Sequence, residues 1–479
     1  MFINFLHMDG QGLPKRSTYT VLSAMGYFLD GYDLSVISVF TYALLQYKFW
    51  HYTSLELGFV SGAALLGAMV GAIIFGHYSD RLGRRYLYIW DLLFFVIFAI
   101  LSAIANNIIQ LITFRFFVGW GVGADYSLSP VYATEMYPTG RRGMGYGWVW
   151  SFWSIGALVS FLIGYYFYIW NPIIGWRWAL GLGAVPALVT VVLRASMPES
   201  SRWRVAVQGT EDAVAEAKRL SVVTGLTEEE LSKLIEIERK LMDQVKPGDW
   251  RWLFKDDFAK RTAIVWTQWI LYDIGAYGFG LYSPAILAML GFKGALAILL
   301  SSLLYVPGFL GALGAAFLND IWGRRRLQLI GFGGSALGML FVALAAIWQS
   351  MFALLALVIG VIGLILWYGI GNLGPGNTMG LYAIELFPTK LRSTSMGSAT
   401  AITRFVSFLS AFEFPYIALA IGKLTFFEFL FAVTLFAFVF TIFFTPETKG
   451  IPLELIAIAR TKSPSLHPRL EIPGIERHQ

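Results

Sequence analysis

Hydrophobic positions run together along most of this chain in stretches of about twenty, each long enough for a helix to cross the hydrocarbon core of a bilayer. Such runs start near Val21, Ala64, Leu92, Ile112, Phe152, Leu299, Phe332, Leu354 and Phe426, and the whole pattern predicts about twelve spanning helices. The pattern breaks once, between roughly Pro198 and Lys260. There a mixed-charge stretch, EDAVAEAKRL followed by TEEELSKLIEIERKL, has the period of one or two soluble amphipathic helices. About six spans precede this middle loop and six follow. The predicted fold is an all-α membrane protein of two six-helix bundles. Its divisions are an N-terminal bundle (1–197), a middle loop (198–260), a C-terminal bundle (261–445) and a tail (446–479). The opening MFINFLHMDGQGLPKRS lacks the charged, apolar and small-residue regions of a secretory signal, and reads as a short cytoplasmic tail.

Composition agrees with lipid as the solvent. The chain is 57% hydrophobic and 14% charged, whereas a soluble domain carries about a quarter of its residues as charges. The net charge of +6 does not point to nucleic acid, because the basic residues collect in alternate loops. Arg81, Arg84, Arg85, Arg141, Arg142, Arg324, Arg325, Arg326, Lys390 and Arg392 fall on one side, and the loops near Asn106, Asn107, Gln349 and Gly422 carry almost none. The positive-inside rule then predicts both termini in the cytoplasm of a multi-pass cell-membrane protein. Cysteine is absent, and the five histidines (His7, His51, His77, His467, His478) are expected in loops or tails. No metal site, cofactor or enzymatic centre is expected, and the chain is expected to work as a monomer.

The two halves repeat. Asp80-Arg81-Leu82-Gly83-Arg84-Arg85 returns as Asp320-Ile321-Trp322-Gly323-Arg324-Arg325. Glu135 before Pro138-Thr139, with Arg142, returns as Glu385 before Pro388-Thr389, with Arg392, and Pro198-Glu199-Ser200 returns as Pro446-Glu447-Thr448. All three pairs keep their order at a displacement of roughly 240 to 250 residues, the mark of an internal duplication of the kind that supports alternating access. An aspartate among arginines at a helix end can bridge neighbouring helix ends through charge-assisted hydrogen bonds, so these clusters read as gates or scaffold. With GHYSDRLGRR between the second and third spans, and with PESSRW and PETKG, the chain resembles the major facilitator superfamily and carries sugar-porter-like marks.

Ionisable residues at membrane depth are the candidates for chemistry. In FLDGYDLSV of the first helix, Asp30 and Asp33 lie about 18 to 22 Å into the span at 1.5 Å per residue. Three residues apart, they are expected on one face, where two carboxylates cannot both ionise cheaply and one is expected to carry a proton. Arg115 of the fourth helix is the expected partner of one of them, and Asp125 and Tyr126 of the same helix lie deeper. In TQWILYDIGAYG of the seventh helix, Trp269, Asp273 and Tyr277 follow at intervals of four, an acid between two aromatics with polar handles. Arg404 of the eleventh helix stands about 18 Å from Arg392, and its planar fork suits an anion or a buried aspartate. The tenth helix, YGIGNLGPGNTMGLY, is expected to break near Pro375, with Asn377 free to donate to a substrate or to satisfy the break.

Together these segments resemble the phosphate/proton symporter branch of the superfamily. The likeness rests on Asp30, Tyr32 and Asp33, on GADYSLS at 123–129, on Trp269, Asp273 and Tyr277, and on Arg404 where the branch has lysine. It implies a substrate site at Tyr126, Trp269, Asp273, Tyr277 and Arg404, with proton traffic through Asp30 or Asp33 and Asp125. Trp153 stands where the branch has a glutamine, and Gly376, followed by Asn377, where it has an asparagine. The expected function is proton-coupled symport of a small anion, with inorganic phosphate the first reading. An organic anion such as a carboxylate or sugar acid, or a sugar, is the alternative, and a non-transporting sensor of the same fold a remote one.

Overall fold

The computed structural model describes residues 16–137, 139–195, 197, 199–208, 236, 240, 242–289, 292–420, 422–461 and 470–471. The amphipathic stretches expected between 211 and 241 lie outside the described residues except at positions 236 and 240, as do His7, His467 and His478.

Twelve long helices are laid down in chain order among the described residues. The first six are α1 Arg16–Tyr47, α2 Ser54–Leu82, α3 Arg84–Ala103, α4 Ile108–Glu135, α5 Arg142–Trp170 and α6 Gly175–Arg194. The second six are α7 Asp256–Gly280, α8 Ala295–Trp322, α9 Arg324–Trp348, α10 Ala353–Glu385, α11 Arg392–Ala420 and α12 Gly422–Phe444. Ten have the length and apolar composition to cross a membrane. The other two, α7 and α11, match them in length and carry charged residues at their starts and middles.

The helices begin and end where local chemistry dictates. Thr53 caps α2 through a reciprocal capping box with Glu56. Gly183 interrupts α6, and α10 breaks at Gly374 directly before Pro375. His77, expected in a loop, instead lies in the last turns of α2, whose helix runs on to Leu82. The apolar stretch of α2 ends near Gly76, and the polar residues that follow keep helical geometry because they are held by neighbouring chain.

Burial is inverted relative to a soluble protein. Arg84, Arg115, Arg142, Arg194, Arg261, Arg324, Arg392 and Arg404 are fully buried, while Leu354, Val192, Tyr166 and Leu310 are exposed on the outer helix faces. Apolar side chains face outward and charges inward only where the surroundings are hydrocarbon. Small residues bring the inner helices together: Gly119 and Gly123 of α4 rest on the backbone of Ala64 and Ala68 of α2, and Gly31 of α1 rests on the Trp153 carbonyl of α5. The halves meet along α2 with α11 and along α5 with α8. The candidate site lies between those two seams.

Candidate functional site

A cavity lies where the halves meet. Tyr126 of α4 and Trp150 and Trp153 of α5 wall it from the N-terminal half. From the other half come Tyr272, Asp273 and Tyr277 of α7, Tyr305 of α8, Trp367, Tyr368 and Asn372 of α10, and Arg404 of α11. About 40 Å³ is free at its centre, room for a few water molecules. A larger occupant therefore enters by parting aromatic side chains.

The polar core of this cavity is an ion pair. Arg404 Nη1 donates to Asp273 Oδ2 at 3.2 Å, and Ser407, one turn further along α11, donates to the same oxygen at 3.2 Å. The guanidinium is held between two rings, 4.5 Å from the centre of Tyr126 and 4.7 Å from that of Tyr277. Asp273 and Tyr277 reach it together because they are four residues apart on one helix. Arg404 Nε and Trp153 Nε1 are buried without a hydrogen-bond partner, so donors remain for a ligand. Trp150 Nε1 donates to Asn372 Oδ1 at 3.2 Å, a direct bond between the two halves at the cavity wall.

Two residues expected in this site are elsewhere. Asn377 lies beyond the α10 break, where its Oδ1 accepts from Asn319 Nδ2 at 2.8 Å, and the cavity amide is Asn372. The break at Gly374 separates the two amides, and Asn372 shares its face with Tyr368, one turn earlier. Trp269 is buried one turn before Asp273 and does not line the cavity.

Asp30 and Asp33 do not form a carboxylate pair. Arg115 Nη1 donates to Asp33 Oδ1 at 2.7 Å and Nη2 to the Asp33 carbonyl at 2.8 Å. Asp30 faces Asp125 and Arg194 instead. Steps of three residues advance about 300° around a helix, enough inside a tight bundle to send the two side chains to different neighbours. Asp125 is ion-paired with Arg194 at 2.7 Å and stands apart from the cavity that its neighbour Tyr126 lines. Arg194 and Asp91 were not singled out from the sequence, although each is a charge within an apolar run, LVTVVLR and YIWDLLFF.

The repeated motifs form two matching clusters at the basic end. Glu135 accepts from Arg84 at 3.2 Å, from Arg392 at 2.9 Å and from Ser200. Glu385 likewise accepts from Arg324 at 2.9 Å, from Arg142 at 2.5 Å and from Thr448. Asp80 caps the start of α11 at Ser393 N and Thr394 N, 3.2 and 2.8 Å, and Asp320 caps α5 at Gly143 N and Met144 N, 3.2 and 2.8 Å. Each cluster thus ties one half to the other. Glu199 accepts from the backbone of Arg84 and Arg85, and Glu447 from that of Arg324 and Arg325. The glycines between, Gly83 (φ 98°) and Gly323 (φ 90°), take a conformation closed to other residues and leave the space these glutamates fill. Arg81 and Arg85 bind outside the clusters, to the carbonyls of Pro247 and Ala195.

The family described as sugar (and other) transporter matches residues 19–459. Glucose transporter GlcP of Staphylococcus epidermidis is 31% identical over 438 residues, covering 91% of this chain and 95% of that one. The Arabidopsis thaliana protein named "Probable inorganic phosphate transporter 1-6" is 29% identical over 493 residues, covering 91% and 92%. Among solved structures, the E. coli proton:xylose symporter XylE bound to 6-bromo-6-deoxy-D-glucose matches at a TM-score of 0.80 and 21% identity, over 92% of this chain and 98% of that one. The architecture is the twelve-helix major facilitator fold.

Proposed function

This chain belongs to the sugar (and other) transporter family, and from that premise we propose that it is a proton-coupled symporter of a small hydroxylated organic substrate of the sugar or polyol class, bound in the aromatic cavity between its halves. The carrying observation is that Arg404, the cation of the cavity, is already neutralised by Asp273 and enclosed by two tyrosine rings. A neutral ring presents C–H faces to aromatic walls and hydroxyls to Asp273, Asn372 and the tyrosines. Inorganic phosphate, the first reading of the sequence, fits this environment less well. A compact anion needs several unpaired donors and net positive charge, and Trp153 lines the cavity where the phosphate branch has a glutamine. The printed name of the glucose-transporting relative supports the sugar reading. An organic acid is a second reading, favoured by the unpartnered Arg404 Nε.

Coupling is assigned to the acids of α1 and α4, Asp30, Asp33 and Asp125, with Arg115 neutralising Asp33. The halves rock around the loaded cavity, and the clusters at the basic end close that face in alternation with the other. A proton gradient supplies about 1.4 kcal/mol per pH unit, and a membrane potential about 2.3 kcal/mol per charge per 100 mV. The basic end is assigned to the cytoplasm by its arginines, which puts both termini there; protease accessibility of terminal tags in sealed vesicles tests this.

The substrate test is uptake into proteoliposomes with an acidic exterior, presenting D-glucose, D-xylose, a linear polyol, gluconate and phosphate in turn. Accumulation of a sugar or polyol that collapses with a protonophore and is lost in Arg404→Ala is the expected result. Accumulation of phosphate alone refutes the substrate class, and sugar uptake indifferent to the gradient refutes the coupling.

A further inference from the structure

The chain that leads into α7 makes an aromatic and basic turn on the outside of the protein. Asp249 caps a short 3-10 helix, Trp250–Phe254, by accepting from Arg251 N at 3.2 Å. Asp256 then takes a left-handed conformation, φ 47°, and the turn folds back along the flank of α7. The Leu253 carbonyl accepts from Thr262 Oγ1 at 2.7 Å, and the Phe254 ring stands 5.6 Å from that of Trp266, about 15 Å from the start of the helix. Leu253 is buried beneath the turn. Trp250 and Phe254, edge to face at 6.3 Å, are 55% and 52% exposed.

Cations surround these rings. Lys255 Nζ lies 4.5 Å from the centre of the Trp252 ring, and Lys246, Arg251 and Lys260 are exposed nearby in the chain. Of the acids between them, Asp249 is engaged by the cap and Asp257 by Arg261 at 2.9 Å, which leaves Asp256. Among the described residues no ion pair or side-chain hydrogen bond holds Arg251 or Lys255. Exposed aromatic rings beside unpaired cations, on the flank of a spanning helix, match the headgroup layer of a bilayer, which accepts rings and positive charge at one depth.

We propose that Trp250, Arg251, Phe254 and Lys255 form a docking surface for anionic phospholipid of the leaflet at the basic end, and that lipid bound there steadies a clasp across the seam between the halves. The rings enter the acyl boundary while the guanidinium and ammonium take the phosphate. A soluble anion would satisfy the cations and leave both rings in water, so charge and apolar surface together select a lipid. The clasp is the preceding loop, 242–249. On the side of the C-terminal half, Gly248 N donates to the Lys390 carbonyl at 2.9 Å and Lys390 Nζ to the Met242 carbonyl at 3.1 Å. On the side of α2, His77 Nδ1 donates to the Gly248 carbonyl at 2.6 Å and Arg81 Nε to the Pro247 carbonyl at 3.1 Å. Gly248 (φ 73°) lies against the His77 carbonyl, which a Cβ there would approach to 2.6 Å. A single residue separates Gly248 from Trp250, so a turn fixed on the membrane holds the clasp in place.

This surface is independent of the substrate, and its test needs none. In detergent, the unfolding temperature of the full chain is expected to rise saturably with added phosphatidylglycerol and not with phosphatidylcholine, inorganic phosphate or glycerol phosphate. Arg251→Gln/Lys255→Gln is expected to raise the midpoint of that titration about 30-fold, some fivefold per basic residue. Arg141→Gln/Arg326→Gln, which removes two exposed arginines elsewhere at the basic end, is expected to leave it in place. Equal weakening in both double variants means diffuse attraction and overturns the site, as does a rise produced by phosphate. A nitroxide on Phe254→Cys in vesicles containing phosphatidylglycerol is expected to be reached by oxygen and shielded from a water-soluble nickel chelate. Free access of the chelate, as on a face kept for a soluble partner, overturns the docking. Nitroxides on Tyr86→Cys and Ile321→Cys are expected to show a smaller long-distance population in phosphatidylglycerol bilayers than in phosphatidylcholine. Gly248→Ala is expected to abolish that difference while keeping the lipid titration; equal distances in both bilayers for the unaltered loop overturn the clasp.

Discussion

Removing Arg392 or Arg142 perturbs the same closure from its two sides, and the structure ranks the outcomes. Arg392 makes one charged contact across the halves, from Nη1 to Glu135 at 2.9 Å, while Glu135 keeps Arg84 and Ser200. Arg392→Gln therefore forfeits one charge-assisted hydrogen bond, about 2 kcal/mol, and shifts the balance between closed and open basic ends about 30-fold. Arg142 makes three contacts to the second half: Nε to Glu385 at 2.5 Å, Nη1 to the Ile451 carbonyl at 2.6 Å and Nη2 to the Thr448 carbonyl at 3.2 Å. Arg142→Gln is expected to cost at least twice as much, about 4 kcal/mol or more. The chain has no cysteine, so spin labels attach only where cysteines are placed. Tyr86 and Ile321, 72% and 62% exposed at the basic ends of opposite halves, are suitable positions. Double electron–electron resonance is expected to show a growing long-distance population in the order wild type, Arg392→Gln, Arg142→Gln. Unchanged distributions, or the reverse order, would refute the assignment of closure to these contacts.

Three further outcomes follow from the same geometry. Gly83→Ala and Gly323→Ala each force a side chain into a positive-φ position already filled by Glu199 or Glu447. Each is expected to destabilise by about 1–3 kcal/mol, read as earlier thermal unfolding in detergent; equal melting of both variants and wild type contradicts the capping role. Asp33→Asn or Arg115→Gln alone strands a buried charge and is expected to cost about 3–5 kcal/mol. The double variant is expected to cost less than the sum, and additivity in a double-mutant cycle argues against a direct pair. Trp153→Ala is expected to weaken sugar binding about tenfold, corresponding to about 1.4 kcal/mol of lost ring contact, measured by tryptophan-independent equilibrium dialysis. Unaltered affinity removes Trp153 from the site.

The repeated loop motifs were legible because each half carries its own copy. Their partners were not, since Glu135 meets Arg392 and Asp80 meets Thr394 only across the seam between halves. Trp153, Asp273, Tyr277 and Arg404 were legible as polar or aromatic interruptions of apolar runs, and the structure gathers them into one cavity. The sequence points to Asn377 instead of Asn372 because the chain reads continuously through Gly374, whereas the helix breaks there. Asp30 and Asp33 illustrate the same limit. Their spacing implied one face, yet close packing gave each a different arginine neighbourhood.

What the sequence by itself determined is the solvent, the number of helices and the duplication, because hydrophobic run length and motif recurrence are properties of the chain read in one dimension. Only the tertiary structure decided the pairings of the buried charges. An arginine at membrane depth must find an acid, but which acid depends on the rotation and contact of helices far apart in sequence, and that is how Arg404 comes to be neutralised by Asp273 and Arg194 to be shared by Asp125 and Asp91.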